Sequence, residues 1–80
     1  MRDDDTHLLD MLLAARKVKK FAVGLTEGIF GQSELHQSAI IRELQVIGEA
    51  ARLVSDDRKT ALPQIQWAQI AGMRNRLVHG

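Results

Sequence analysis

The residues best suited to chemistry lie at positions 73–80, where Arg74 and His79 stand five positions apart. A histidine side chain can take up or release a proton near neutral pH. An arginine guanidinium is a fixed cation whose planar fork matches phosphate oxygens. The pair therefore suits acid–base chemistry at a phosphate. The spacing alone is a weak indication, because a histidine near a helix end is more often a capping or surface residue.

The charge distribution points to the same end of the chain. The chain carries 11 Lys and Arg against 10 Asp and Glu, and this net charge of +1 is too small to indicate nucleic-acid binding. Residues 1–57 hold 7 bases and 10 acids, a net of −3, whereas residues 58–80 hold 4 bases and no acid. A positive segment on an acidic body could attract phosphate; chance asymmetry in a short chain is the alternative.

Length and composition exclude several classes of protein. Eighty residues allow a single domain, expected over 1–80. Without cysteine the chain is neither a disulfide scaffold nor a zinc finger, and we expect no metal and no cofactor. No apolar run approaches the roughly 20 residues that span a bilayer, and no signal peptide follows the acidic start, so we expect a cytoplasmic protein. A domain this small makes a partner subunit or a further segment an expected source of stability.

Apolar residues recur at helical spacing in three segments, which predict an all-α antiparallel bundle. The first helix starts at caps in 3–6 and ends near Gly24 or Gly28. The second starts at Ser33 as its N-cap and reaches about Val54. The third follows Pro63 and carries positions 73–80. We expect 28–31 and 55–60 to be loops.

Two residues of the second helix bear on the site. Gly48 costs about 1 kcal/mol relative to Ala inside a helix, and close approach of another helix is the expected compensation. Glu49 belongs to a polar stripe that either faces solvent or borders a cleft. It could pair with Arg74 or Arg76 across the bundle, or with its neighbour Arg52 in solvent.

Three further residues of functional type are expected to be structural. Trp67 is expected to anchor the core, with a base-stacking platform as the alternative. His7 and His36 lie in polar helix starts and are expected at the surface, without ligand spacing to each other.

In combination these segments resemble the HepT-like branch of the HEPN superfamily. The resemblance is carried by IGEA at 47–50, LP at 62–63, IQW at 65–67 and GMRNRLVH at 72–79. The opening at 3–11 is also similar to that family's first helix, so the resemblance covers essentially the whole chain in order.

The resemblance implies an all-α bundle that dimerises and a metal-independent endoribonuclease. It implies that Arg74 and His79 are the catalytic pair and that Asn75 supports the site. HepT-like proteins are typically toxins of type II toxin–antitoxin systems, neutralised by a nucleotidyltransferase (MntA-like) antitoxin. That antitoxin transfers AMP to a Tyr two residues after the motif His, a position that would follow Gly80. The family's last helix would follow too, so the sequence is expected to be C-terminally incomplete relative to the family.

This activity fits the chemistry of the residues. RNA supplies its own nucleophile, the 2′-OH; His79 could move protons, and Arg74 could stabilise the phosphorane charge. We expect Arg76 to contact the RNA backbone, or else to be an ordinary surface residue. Two alternatives stay open: a non-catalytic HEPN binding module that partners a nucleotidyltransferase, and a dimeric helical interaction domain whose basic end is incidental.

Helix geometry adds a condition. At 3.6 residues per turn, positions five apart lie about 140° apart around the axis. Arg74 and His79 therefore do not share a face, whereas Asn75 and His79 do. We expect a two-fold dimer to place the C-terminal helices side by side, so that both residues from both subunits line one groove.

Overall fold

The helices of this chain begin where short polar side chains can cap them. Asp3, Thr26, Ser33 and Ser55 each accept a hydrogen bond from a backbone N–H three residues further on. Each cap satisfies an N–H group that has no partner inside its helix. The predicted cap at Ser33 is confirmed.

The computed structural model describes residues 3–79, with side chains up to residue 77. Over this range the chain is mostly helical and contains no strand. The helices are α1 (Asp4–Ala22), α2 (Glu27–Gln32), α3 (Glu34–Leu53), α4 (Asp56–Ala61) and α5 (Trp67–His79). The predicted all-α class is confirmed. None of these helices is long and apolar enough to cross a membrane.

Two predicted loops are wrong, because α2 covers 28–31 and α4 covers most of 55–60. Both helices have a capping hydroxyl and acidic residues in the first turn, which favour a helix start. A helix of 6 residues is too short to show a hydrophobic period in the sequence. The first helix ends before Gly24, which adopts a left-handed φ of 71°, the conformation that glycine enters without steric cost.

The three long helices run antiparallel, as predicted. Asp4 at the start of α1 binds Ser55, directly after α3. Lys17, near the end of α1, lies 3.9 Å from Glu43 of α3. Similarly, the start of α5 packs near the end of α3, whereas Arg74 lies beside the earlier residue Gly48.

The core is aliphatic and small. The buried apolar residues are Met11, Ala14, Ala50, Ala51 and Val54. Leu8, Ile47, Trp67 and Ile70 pack against this cluster from the sides. Small alanines on α3 let the other helices approach its backbone closely.

Trp67 anchors the core, as expected. Its ring packs against the buried cluster, and its indole Nε1–H donates a hydrogen bond to the carbonyl oxygen of Leu62 at 3.1 Å. This hydrogen bond connects the end of α4 to the first residue of α5.

The expectation that His7 lies at the surface is wrong. Only 7% of the residue is exposed, because His7 shares the inward face of α1 with Met11 and Ala14 at helical spacing. His36 is half-buried, and its Nδ1 lies 2.6 Å from the Oγ of Ser33.

Candidate active site

The candidate site forms where α5 crosses α3. Arg74 of α5 donates a hydrogen bond from Nε to Oε2 of Glu49 at 3.1 Å. The Arg74 side chain is 27% exposed and that of Glu49 is 46% exposed. No other residue of the described part of the chain binds the Arg74 guanidinium. Its terminal nitrogens are therefore available to a ligand such as a phosphate oxygen.

Glu49 binds a second arginine as well. Its Oε1 accepts a hydrogen bond from the terminal Nη2 of Arg52 at 2.6 Å. The Arg52 hydrogen bond, followed by the smaller effect of Arg74, lowers the pKa of Glu49 below its ordinary value of 4.5. Glu49 is thus a stable anion at neutral pH. The sequence left open a pair with Arg74 or Arg76 across the bundle, or with Arg52 along the helix; the pairs with Arg74 and Arg52 are present together.

Gly48 lets α5 approach α3 at the position of Arg74. A Cβ built on Gly48 would stand 2.7 Å from Cβ and 3.1 Å from Cγ of Arg74. The first distance is too short for two carbon atoms, and Cβ moves only with the backbone. The expected close helix approach is confirmed, and its partner is the candidate catalytic arginine.

The other candidate residues lie on α5. Asn75 is exposed and, with Arg74, lines a pocket beside α3. Arg76 is exposed, which is compatible with the predicted backbone contact to RNA. His79 is the last helical position, and its side chain lies outside the described residues. Because α5 is helical from Trp67 to His79, positions 74 and 79 stand about 140° apart around its axis.

The pocket beside Arg74 was not predicted as such, although the sequence left open a cleft along the polar stripe of α3. It lies between α3, α4 and α5 and has a volume of about 260 Å³. It is lined by Gly48, Ala51, Arg52, Lys59, Trp67, Ala71, Arg74 and Asn75. Lys59 belongs to the basic segment 58–80, but its place at the pocket depends on α4, which the sequence pattern did not reveal.

No metal centre is formed by the side chains of residues 3–77: no three His, Cys, Asp or Glu residues come together in a way that could hold an ion. The metal-free reaction expected from the sequence stays a prediction.

Comparison with known proteins places the chain in a family. The model of the ribonuclease HepT-like family matches residues 11–80. The protein named "Putative RNase MJ1380" of Methanocaldococcus jannaschii is 33% identical over 78 residues, which are 98% of this chain and 72% of that protein. "Probable ribonuclease HepT" of Thermococcus cleftensis is 32% identical over 98% of this chain and 71% of its own length. No solved structure matches the chain.

The all-α bundle carries an arginine and a histidine five positions apart on α5, the arrangement that the resemblance to the HEPN superfamily implies. Within that superfamily, the chain belongs to the ribonuclease HepT-like family.

Proposed function

We propose that the protein is a metal-independent endoribonuclease that acts as the toxin of a type II toxin–antitoxin system. The observation that carries the proposal is the Arg74 guanidinium, which Glu49 holds through Nε. A guanidinium held in this way can bind two phosphate oxygens with its remaining N–H groups. The ribonuclease names of the relatives agree with this chemistry.

In the proposed reaction, His79 accepts the proton of a ribose 2′-OH, and the 2′-oxygen attacks the adjacent phosphorus. Arg74 stabilises the negative charge that develops on the phosphorane. The bond from phosphorus to the 5′-oxygen then breaks, and water supplies the proton that the leaving oxygen needs. The products are a 2′,3′-cyclic phosphate and a free 5′-OH.

The proposal includes a homodimer. Arg74 and His79 are on different sides of one α5, so a second copy is needed to bring such a pair together. Leu13, Val46 and Leu53 are 45%, 37% and 46% exposed. Val46 and Leu53 line one depression together with Glu49. A second copy that covers these apolar side chains would therefore lie next to the Glu49–Arg74 pair.

The test of the activity is cleavage of a labelled single-stranded RNA in excess EDTA. Arg74→Gln and His79→Gln are each expected to lower the cleavage rate by at least about 100-fold, since each removes a group that acts on the transition state. Arg16→Gln, which removes an exposed arginine from α1, is the matched control and should cleave normally. Full cleavage by either site variant would overturn the catalytic assignment.

Other results would select the alternatives. RNA binding without cleavage would indicate a non-catalytic module, and the absence of both would indicate an interaction domain. The toxin role has its own readout in cells: the wild-type chain should arrest growth and Arg74→Gln should not. Co-expression of a nucleotidyltransferase antitoxin encoded beside the gene should restore growth.

A further inference from the structure

The pocket between α3, α4 and α5 is lined by more cationic side chains than there are carboxylates bound to them. Arg52, Lys59 and Arg74 line it, and Glu49 is bound to both arginines. Lys59 forms no ion pair within the described part of the chain; its Nζ lies 5.7 Å from the ring centroid of Trp67. One carboxylate against three cations leaves a net positive charge at the pocket, which favours an anionic ligand.

Half of the eight residues that line the pocket are apolar or lack a polar side chain. Gly48, Ala51 and Ala71 line it together with Trp67, which is half-buried. The volume of about 260 Å³ lies just below the range of roughly 300–1,000 Å³ found for drug-sized ligands. A recess of this size, lined in part by apolar side chains, can hold one nucleobase, whose faces are apolar.

We propose that this pocket binds one nucleotide of single-stranded RNA, the neighbour of the linkage that is cut. The assignment rests on the proposed function, because Arg74 is both a wall of the pocket and the candidate group on the reacting phosphate. A nucleotide whose base enters the recess would place its phosphate near Arg52, Lys59 and Arg74, which line the pocket. The strand must be single, because a paired and stacked base cannot enter a recess of this kind.

Filling the recess tests the proposal without changing any charge. Ala71 is exposed on α5 and lines the pocket, so Ala71→Leu adds volume there and not in the core. Ala68→Leu is the matched control, because Ala68 is exposed on the same helix and does not line the pocket. The probe is a fluorescein-labelled 2′-O-methyl RNA of 12 mixed-sequence nucleotides, which lacks the nucleophile for cleavage. Ala71→Leu should weaken binding about tenfold in fluorescence anisotropy, and Ala68→Leu should not.

Lys59→Gln tests the role of the positive charge at the pocket, independently of the volume added by Ala71→Leu. Loss of one phosphate contact should make the negative slope of log binding constant against log salt concentration shallower by about 0.7. Lys19→Gln, in which an exposed lysine of α1 is replaced, should leave the slope unchanged. Circular dichroism checks that each variant is folded, and sedimentation checks its oligomeric state.

An unchanged affinity of Ala71→Leu, together with an unchanged salt slope of Lys59→Gln, would overturn the pocket assignment. The cleavage results for Arg74 and His79 would still stand. Weaker binding of Ala71→Leu that accompanied loss of a dimer would also overturn it, because the pocket would then belong to the second copy. Weaker binding by a folded Ala71→Leu dimer, together with full cleavage by Arg74→Gln, would support the pocket and refute the catalytic role of Arg74. No RNA binding by the wild-type protein would refute both.

Discussion

Arg74 is placed by two consecutive residues of α3. Gly48 leaves room for its Cβ and Cγ, and Glu49 holds its Nε. The sequence predicted a close approach at Gly48 and, as a separate feature, left open a cross-helix pair for Glu49. It could not show that both concern the same arginine, because hydrophobic periodicity gives the face of a helix but not the height at which two helices cross.

Gly48→Ala is expected to impair both folding and catalysis. The added methyl meets Cβ of Arg74 at 2.7 Å, so α5 must shift, at a cost of about 1–3 kcal/mol in the free energy of unfolding. Urea denaturation and RNA cleavage would both be measured. Gly31→Ala is the control, since a Cβ at that helical glycine meets nothing within 4 Å. Equal behaviour of the two variants would contradict the steric account.

At the scale of elements, the short helix α4 connects the beginning of α1 to the pocket. Asp4 accepts hydrogen bonds from the backbone N–H of Ser55 at 2.9 Å and from its hydroxyl. Arg58 binds Asp5 at 2.7 Å. The long amphipathic helices were predictable from their periodicity. The placement of α4 was not, because it depends on polar contacts between residues about 50 positions apart in sequence.

This connection should make stability depend on pH in the acid range. The Ser55 hydroxyl, followed by its backbone N–H, lowers the pKa of Asp4 below the ordinary value of 3.8. The contribution of the Asp4–Ser55 contact to the free energy of unfolding is therefore complete above that value. It is lost as the pH falls through the pKa of Asp4 in the folded state. The urea concentration at the midpoint of unfolding should therefore decrease as the pH is lowered below about 4.

Ser55→Ala should reduce this acid dependence and also remove the α4 cap, at a cost of about 1 kcal/mol at neutral pH. Thr26→Ala removes the α2 cap, whose hydroxyl binds only a local backbone N–H, and should preserve the acid dependence. An acid transition that is the same in both variants would refute the role of the Asp4–Ser55 contact.

At the scale of the whole molecule, the core is too small to bury all of the apolar surface that the helices carry. No large side chain among the described residues is fully buried, and Leu13, Val46 and Leu53 remain substantially exposed. The short, cysteine-free sequence already predicted a need for outside stabilisation. The position of the apolar face beside Glu49 became visible only with the packing of α1 on α3.

Mixing two inactive variants tests whether the catalytic groups come from different subunits. Random pairing of Arg74→Gln with His79→Gln chains makes about half of the dimers mixed, and each mixed dimer keeps one intact trans site. About a quarter of the wild-type cleavage rate should return. A site formed within one subunit predicts no recovery, so an inactive mixture of chains shown to exchange would refute the shared site.

The indole of Trp67 forms part of the pocket wall, and it is the only tryptophan of the chain. Tyrosine is absent, so nearly all ultraviolet emission of the protein originates within a few ångströms of that recess. The fluorescence of Trp67, excited near 295 nm, should therefore report ligand binding or movement at the pocket between α3 and α5 without an attached dye.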